Sequence, residues 1–442
     1  MPQSRGFARL PGFRDFPPED LALRSHIFEA WRRVSRRYGF LEYDAPPLEA
    51  LELYAEKSGD ELVGQLYEFT DKGDRRVALR PEMTPSLARM LAERSKAMPK
   101  PIRWFSTPQL FRYERQQRGR LREHFQWNVD FVGEGGIEAD AEVLAVALDG
   151  LVELGLSAVD VKARVSDRIL LSAVLKALGV AEGRERAAFG VIDKIERAPR
   201  ERVVARLTGP DVGLGEASAE RLVALFEGAG VERVESGFGD DPAVASRLAD
   251  LRRFSQVMGE LGFGDFVEID LSVVRGLAYY TGVVFEVFDR SGEFRAICGG
   301  GRYDRLLELV GGDPLPAVGF GMGDVVLGEL LRDRGKVPEY RPRVDFYIVT
   351  VGPEQGSVAR RIAAAQRRSG RSVVQSVSAQ SMKRQFSSAA SVGARAAIVL
   401  GPDEVARGIA VVKDMETGEQ TEMPLERLTN VLDAEPASTA PR

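Results

Sequence analysis

The first 160 residues alternate between stretches with the apolar spacing of helices and stretches typical of strands. Residues 17–38 predict an amphipathic helix, because Leu23, Ile27 and Trp31 fall on one face and the arginines lie mostly off it. Proline at its start and Gly39 at its end match the usual limits of a helix. Strands are predicted at residues 40–43, 76–80, 103–115 and 127–132, and a second helix over 137–155.

The pattern changes between residues 167 and 260, which are rich in Ala, Arg, Glu and Leu at helical spacing. Gly209-Pro210 and the stretch 237–242 interrupt this block, which predicts a helical insertion. Strand patterns return at residues 283–288 and 294–298, separated by a turn at Ser291-Gly292. Two helices are predicted near residues 303–310 and 324–333.

A linker is predicted at residues 334–343, and the pattern after it is different again. Strands at 344–351, 372–377 and 396–400 alternate with helices at 354–368 and 381–391. Alternation of this kind predicts a separate α/β domain, which we place at residues 344–432. Residues 433–442 are expected to form a frayed tail.

Composition excludes several kinds of chemistry. The chain has 442 residues but one cysteine and two histidines, so an intrachain disulfide, a Cys/His zinc site and Ser-His-Asp or Cys-His catalysis all lack residues. The chemistry must depend on carboxylates, arginines and backbone dipoles. The net charge of −5 gives no overall attraction to nucleic acid, although local basic faces still could. Neither a membrane helix nor a signal peptide is recognised, so a cytoplasmic protein is expected.

The most informative segment is residues 111–126, FRYERQQRGRLREHFQ, in which arginines crowd a predicted hairpin loop. Planar guanidinium groups bind phosphate oxygens in pairs, which favours a phosphate site. A solvated basic loop would give the same pattern, and the segment alone leaves both interpretations open.

Two further segments carry candidate polar residues. Glu82 lies between two prolines, where its carboxylate could receive an amino group or could cap the helix predicted over 85–93. Tyr279 and Tyr280 are adjacent on an extended segment and are expected to point to opposite faces, so at most one would face a pocket unless a neighbouring glycine bends the backbone.

Two glycine-rich stretches, residues 298–304 and 319–324, precede predicted helices. Such glycines allow a ligand to approach the backbone and the helix N-terminus, and they serve tight packing just as often. Neither stretch has the spacing of a dinucleotide fingerprint or a P-loop, so both of those sites are rejected.

Taken in order, these segments resemble the histidyl-tRNA synthetase family over nearly the whole chain. Residues 10–16, LPGFRDF, look like the family's N-terminal segment, and the first helix, strand and Pro46 resemble class II motif 1. Residues 112–126 resemble motif 2, and residues 275–282, RGLAYYTG, resemble a signature of the histidine enzymes.

The resemblance implies an α+β fold: an antiparallel sheet flanked by helices, a helical insertion and a C-terminal α/β anticodon-binding domain. Residues 1–166 and 261–333 would form the catalytic core around the insertion at 167–260. The insertion is expected to clamp the tRNA acceptor stem. The implied partners are L-histidine, ATP with Mg²⁺, tRNA(His) and a second copy of the chain, and no protein ligand for a metal is assigned.

Matching positions also imply roles for individual residues. Arg112 and Arg275 would be catalytic, with Arg275 bridging the histidine carboxylate and the α-phosphate. The residues implied to bind ATP are Arg112, Glu114, Arg120 and Arg122. The residues implied to surround histidine are Glu82, Thr84, Gln126, Asp130, Arg275, Tyr279 and Tyr280.

The chain departs from the family pattern at three positions. Ala278 stands where the family often has aspartate, and Asp130 where it has glutamate. Val326 stands where motif 3 normally has an arginine that stacks on ATP. Either another arginine serves ATP, with Arg302 and Arg305 as the candidates, or catalysis is impaired.

The main alternative is an inactive paralogue that senses histidine, such as the regulatory subunit of ATP phosphoribosyltransferase. That subunit resembles the catalytic core alone, whereas residues 344–432 of this chain resemble the family's C-terminal domain. Five arginines there, at 360, 361, 367, 368 and 371, give the domain local positive charge suited to RNA. A synthetase of another class II specificity is disfavoured by residues 275–282.

Overall fold

The computed structural model describes residues 7–55, 63–115, 117–195, 198–226, 230–274 and 279–430. The chain forms two compact units that divide between Pro338 and Glu339, inside the segment predicted as a linker. The finer boundaries predicted within the first unit stay a prediction. No helix among the described residues is both long enough and apolar enough for a membrane span.

The first unit is built on a nine-stranded sheet in the order β1-β5-β7-β12-β11-β10-β8-β9, with β6 also paired to β7. All its pairs are antiparallel except β1 with β5 and β8 with β9, so the predicted antiparallel sheet is confirmed. Strands β2, β3 and β4, which come between β1 and β5 along the chain, form a separate small antiparallel sheet in the order β2-β4-β3. The strands are β1 (Leu41–Glu42), β2 (Leu48–Ala50), β3 (Tyr67–Thr70), β4 (Arg76–Leu79), β5 (Ile102–Ser106), β6 (Gln109–Phe111), β7 (Glu123–Val132), β8 (Val161–Asp167), β9 (Val267–Ile269), β10 (Val283–Asp289), β11 (Cys298–Arg302) and β12 (Ala317–Gly323).

The helices of the first unit include both long helices predicted from apolar spacing. They are α1 (Pro18–Arg37), α2 (Leu51–Ala55), α3 (Thr84–Arg94), α4 (Ile137–Glu153), α5 (Arg168–Ala177), α6 (Glu185–Ile192), α7 (Arg200–Thr208), α8 (Glu216–Ala224), α9 (Gly230–Phe238), α10 (Pro242–Glu260), α11 (Leu306–Leu309) and α12 (Asp324–Asp333). Helices α5 to α10 occupy the block predicted to be helical and contribute most of a second hydrophobic cluster.

Helix α4 covers one face of the central strands. Trp127, Val129 and Phe131 of β7 share a buried cluster with its apolar residues. Gly150 permits this packing, because a Cβ there would lie 2.4 Å from the Trp127 ring. Alternation along β7 therefore leaves Gln126, Asn128 and Asp130 on the opposite face of the sheet.

The second unit contains a five-stranded mixed sheet in the order β14-β13-β15-β16-β17. Its strands are β13 (Val344–Thr350), β14 (Val373–Gln375), β15 (Ala394–Leu400), β16 (Ile409–Asp414) and β17 (Gln420–Pro424). Its helices are α13 (Gly356–Arg368), α14 (Met382–Ser391), α15 (Pro402–Ala406) and α16 (Leu425–Thr429). The three predicted strands and two predicted helices are present, and the antiparallel strands β16 and β17 were not predicted.

One predicted strand was misplaced, and another strand was not predicted. The strand predicted at residues 294–298 begins only at Cys298, and it continues through the glycine run to Arg302. The second glycine-rich stretch, for which no strand was predicted, forms β12 and leads directly into the predicted helix α12. Glycine has a low strand preference of its own, so these strands depend on their paired neighbours.

Candidate active site

Two neighbouring cavities open on the face of the central sheet opposite α4. The first, of about 210 Å³, is lined by Glu82, Thr84, Arg112, Gln126, Asn128, Asp130, Tyr279, Tyr280, Gly299, Tyr303, Gly319, Phe320 and Gly321. The second, of about 260 Å³, is lined by Arg112, Glu114, Gly119, Arg120, Leu121, His124, Gln126, Glu286, Ala296, Ile297, Cys298, Gly299, Gly321, Gly323, Val325 and Val326. We call them the inner cavity and the outer cavity.

A larger cavity of about 790 Å³ lies elsewhere in the first unit, against helices α8 to α10 and strand β9. None of the predicted site residues lines it. The two smaller cavities, in contrast, bring together predicted residues from three separate stretches of the chain, 82–84, 112–130 and 279–280. We therefore place the candidate active site there.

Glycines on β11 and β12 make room for the inner cavity. Gly321 is paired with Asn128 and Gly319 with Asp130 across the β12–β7 ladder, so all four share one face. A Cβ on Gly321 would lie 2.6 Å from Cδ of Gln126, and one on Gly319 would lie 2.6 Å from Oδ1 of Asp130. These glycines provide space beside polar side chains and do not form a phosphate-binding turn.

Asp130 lies at the buried end of the inner cavity. Its carboxylate accepts a hydrogen bond from the hydroxyl of Tyr303, which is also buried. Burial raises the pKa of Asp130 to about 7, and the hydrogen bond from Tyr303 partly offsets this rise. A carboxyl group that titrates near neutrality thus faces the cavity.

Glu82 enters the inner cavity from the turn before α3. It is 5% exposed, and Tyr279 donates a hydrogen bond from its hydroxyl to Oε2 of Glu82 at 3.3 Å. The helix begins at Thr84 and its N-cap residue is Met83, so Glu82 does not occupy the N-cap position. Both tyrosines line the same cavity with ring centroids 5.0 Å apart, so of the two alternatives left open for them the one in which both face a pocket is observed.

Arg112 lies at the boundary of the two cavities and lines both. Its Nε donates to the carbonyl of Pro81 at 2.9 Å, which fixes the side chain beside the turn that carries Glu82. Gln126, Gly299 and Gly321 are also shared by the two cavities. A ligand in one cavity can therefore contact a ligand in the other at Arg112.

The predicted basic hairpin is present between β6 and β7, and its loop forms part of the outer cavity. Glu114 and Arg120 line this cavity and form an ion pair at 2.9 Å. Burial and the nearby Arg112 lower the pKa of His124 to about 3, so this cavity residue stays neutral at pH 7. Arg122 lines neither cavity, and its guanidinium stacks over Tyr113 at 4.1 Å.

The N-terminal segment holds this hairpin in place. Arg14 donates from Nε to Glu123 at 2.7 Å and from Nη1 to Asp324 at 2.8 Å. The other oxygen of Asp324 accepts the backbone N–H of Phe125 at 2.8 Å. One arginine thus ties the start of β7 to the start of α12, and both elements border the outer cavity.

The position expected to carry the motif 3 arginine is part of the site. Val326 lines the outer cavity and is 8% exposed. Arg302 cannot replace the arginine, because it is buried in a pair with Asp140 at 2.9 Å and lies outside both cavities. Arg305 is also outside both cavities, and its side chain is 78% exposed. The prediction that one of these two arginines replaces the motif 3 residue is therefore wrong.

Some site residues were missed by the sequence, and others cannot be placed. Arg275 and Ala278 lie outside the described residues, so the role of Arg275 stays a prediction. Asn128, Tyr303 and Glu286 line the cavities and were not predicted. Alternation along β7 could have identified Asn128 between Gln126 and Asp130, whereas nothing around Tyr303 indicated its contact with Asp130. Among the described residues there is no cluster of His, Cys, Asp and Glu that could hold a metal ion.

Both units of the chain match known protein families. A family model described as histidyl-tRNA synthetase matches residues 12–323, and one described as an anticodon binding domain matches residues 345–435. The chain belongs to the histidyl-tRNA synthetase family. The two family models thus match the regions in which the resemblance predicted the catalytic core and the C-terminal domain.

Curated relatives in this family match over nearly their full length. The histidine--tRNA ligase of Opitutus terrae is 44% identical, over 96% of this chain and 97% of its own. The chloroplastic/mitochondrial histidine--tRNA ligase of Arabidopsis thaliana is 41% identical, over 94% of this chain and 85% of its own.

Solved structures support the same fold at lower identity. The histidyl-tRNA synthetase of a Nostoc species has a TM-score of 0.78 at 22% identity, covering 97% of this chain and 99% of its own. A protein of Bacillus halodurans described as an ATP phosphoribosyltransferase regulatory subunit/histidyl-tRNA synthetase has a TM-score of 0.73 at 23% identity, covering 90% of this chain and 99% of its own. The fold alone therefore does not distinguish a synthetase from a regulatory subunit.

Proposed function

We propose that this chain activates L-histidine with ATP and transfers the histidyl group to tRNA(His). The observation that carries the proposal is the pair of adjoining cavities that share Arg112 and Gln126. Activation requires an amino acid carboxylate to meet the α-phosphate of ATP, and two cavities that meet at an arginine provide such a place. The relatives at 41–44% identity, both histidine--tRNA ligases, support it.

The inner cavity fits histidine. Asp130 can accept a ring N–H of the substrate, and its bond from Tyr303 holds the carboxylate in one orientation. Glu82 offers a second carboxylate to the substrate's amino group, next to Tyr279. Thr84, Gln126 and Tyr280 complete the polar lining. An amino acid without a ring N–H leaves Asp130 without that donor, which favours histidine over apolar side chains.

The outer cavity fits ATP, and the chemistry needs no protein nucleophile. The histidine carboxylate attacks the α-phosphorus in line, and pyrophosphate leaves. Arg112 and Arg120 both line this cavity, and Arg112 would stabilise the negative charge that develops on the α-phosphate. Arg275, by its place in the family signature, would add a second cation at the α-phosphate. Arg122 would act from the loop toward the tRNA acceptor end.

Mg²⁺ would enter with ATP as part of the substrate. The carboxylates of Glu114 and Glu286 line the outer cavity, and Mg²⁺ in nucleotide sites commonly combines one or two carboxylates with phosphate oxygens and water. The lining therefore fits such an ion.

The chain would act as a homodimer. β1 is the edge strand of the nine-stranded sheet, and Leu41 on it is 67% exposed. Leu48, a few residues further along the motif 1 region, is 37% exposed. Apolar side chains at a sheet edge are typical of surfaces that pair with another chain. A contact of this region with its own copy would be isologous.

Histidine-dependent ATP–pyrophosphate exchange tests the proposed activity. We expect the purified full chain to exchange pyrophosphate with histidine and with no other standard amino acid. Exchange with another amino acid, or binding of histidine by calorimetry without any exchange, would contradict the proposal. The second result would favour the histidine-sensing alternative, which needs the inner cavity but not activation.

A further inference from the structure

The described side chains that line the outer cavity carry little net positive charge of their own. Among the described residues that line it, Arg112 and Arg120 are opposed by the carboxylates of Glu114 and Glu286. Arg120 is already paired with Glu114 at 2.9 Å. His124 is neutral at pH 7, because burial and Arg112 lower its pKa to about 3. A triphosphate in this cavity would meet little net positive charge from these side chains.

An arginine lies on the other side of the residues that close this cavity. Gly119 and Val326 line the outer cavity and also a neighbouring cavity of about 230 Å³. The lining of this neighbouring cavity includes four charged residues, Arg118, Arg295, Glu293 and Glu329. A Cβ on Gly119 would lie 3.1 Å from Cγ2 of Val326 and 3.7 Å from Cδ of Arg295. The stem of Arg295 is therefore next to the wall of the outer cavity, at Val326.

The backbone around Arg295 is fixed, whereas its side chain is exposed. The N–H of Phe294 donates to Asp289 at 3.0 Å, and the N–H of Ile297 donates to the carbonyl of Val287 at 2.8 Å. Ala296 and Ile297, which follow Arg295, line the outer cavity themselves. The guanidinium donates a hydrogen bond to the side chain of Gln117 on the hairpin loop. The stem of Arg295 approaches Gly119, which lines both cavities, so its guanidinium would have to turn away from Gln117 to reach the outer cavity.

We propose that Arg295 is an ATP-binding residue that supplies the guanidinium missing at Val326. This inference rests on the proposed function, because it assigns ATP to the outer cavity. An arginine is suited to the position, since its planar group can either pair with phosphate oxygens or stack on a flat ring. The group would reach the nucleotide from the segment before β11 rather than from helix α12.

Steady-state exchange kinetics with Arg295→Ala test the inference. We expect the KM for ATP to rise roughly 10- to 100-fold, as for loss of a hydrogen bond to a charged group, while the KM for histidine stays within about twofold. Arg295→Lys should recover part of the affinity if charge contributes. Arg118→Ala is the matched control, because Arg118 stacks over Phe294 at 4.9 Å and pairs with Glu329 at 3.6 Å. It should keep the wild-type KM for ATP.

A double variant that restores a guanidinium gives an independent test. Adding Val326→Arg to Arg295→Ala should lower the KM for ATP again, because it restores a guanidinium at the same wall. An unchanged KM for ATP in Arg295→Ala, with an active wild type, would overturn the inference and leave the proposed function standing. A rise shared equally by Arg118→Ala would overturn it as well. A wild type without histidine-dependent exchange would instead remove the proposed function on which it rests.

Discussion

Asp130 shows how a single buried residue can set the behaviour of the site. It is 4% exposed, and the Tyr303 hydroxyl is its hydrogen-bond donor in the folded protein. Resemblance predicted Asp130 by position, and alternation along β7 explains why it faces the cavity. The sequence could not show its partner, because Tyr303 reaches it from outside β7 and 173 residues further along the chain.

Asp130 is expected to make stability depend on pH. In the folded protein the carboxyl group of Asp130 keeps its proton up to about pH 7, whereas in the unfolded chain the same group loses it near pH ~4. Between these values the folded state binds more protons, so the free energy of unfolding falls as pH rises. Asp130→Asn keeps an acceptor for Tyr303 but has no titrating carboxyl group. The free energy of unfolding of this variant should therefore fall less with pH than that of the wild type, by on the order of a few kcal/mol.

Urea unfolding at a series of pH values measures this effect. The exposed Asp15→Asn is the control and should keep the wild-type slope, since its side chain is 78% exposed. Parallel pH curves for wild type and Asp130→Asn would show that the carboxyl group is ionised throughout the range.

Arg112 and Arg122 belong to the same hairpin and are expected to differ in their contribution to activation. Arg112→Ala should lower kcat/KM in histidine-dependent exchange by about 10²- to 10³-fold, because its charge lies at the boundary of both cavities. Arg122→Ala should lower it by less than about tenfold, since Arg122 is stacked over Tyr113 outside them. Equal losses in the two variants would contradict the assignment of Arg112 to the activation step.

Strand β12 is an element whose structure was hard to predict from its own residues. Four of its seven residues are glycine or alanine, and the pattern indicated only tight packing or close approach of a ligand, with no strand predicted. Helices α1 and α4 were predictable because their apolar residues repeat at helical spacing along many turns. Strand β12 forms because β7 and β11 pair with it on both sides, and such tertiary pairing is not visible in a local pattern.

Two of the three glycines of β12, Gly319 and Gly321, are expected to differ in what their replacement changes. Gly321→Ala would press on the flexible end of Gln126 at 2.6 Å, so the protein should fold and the KM for histidine should rise about tenfold or more. Gly319→Ala would meet the carbonyl of Val129 at 2.6 Å together with buried Asp130, so it should mainly lower the melting temperature.

Thermal unfolding and exchange kinetics on both variants separate these effects. A Gly321→Ala protein with the melting temperature and the histidine KM of the wild type would show that Gln126 has space to move and that the inner cavity is wider than the structure indicates.

At the scale of the whole molecule, the chain combines two units with different tasks. The first contains both cavities, and the second matches a family model described as an anticodon binding domain. Of the five arginines predicted to give that unit positive charge, Arg360, Arg361, Arg367 and Arg368 are exposed on α13. Arg371 instead stacks over Phe346 at 5.6 Å, within its own unit. The sequence could predict two units from the change in pattern, but not which arginines would be available to RNA.

The second unit is also what separates the two functions considered for this fold. A histidine sensor needs the inner cavity alone, whereas a ligase must hold ATP, histidine and tRNA together. A solved structure whose description names both functions matches this chain with a TM-score of 0.73, so the fold alone does not decide between them, whereas the curated relatives at 41–44% identity are histidine--tRNA ligases. Only transfer of histidine to RNA requires all of the parts described above.

The most direct test is therefore the charging of tRNA by the full chain, measured as labelled histidine that becomes acid-precipitable with total tRNA and ATP. We predict that histidine is attached, that no other amino acid is, and that the attachment depends on ATP. Histidine-dependent pyrophosphate exchange without any charged tRNA from a cognate source, or no exchange and no charging at all, would contradict the account.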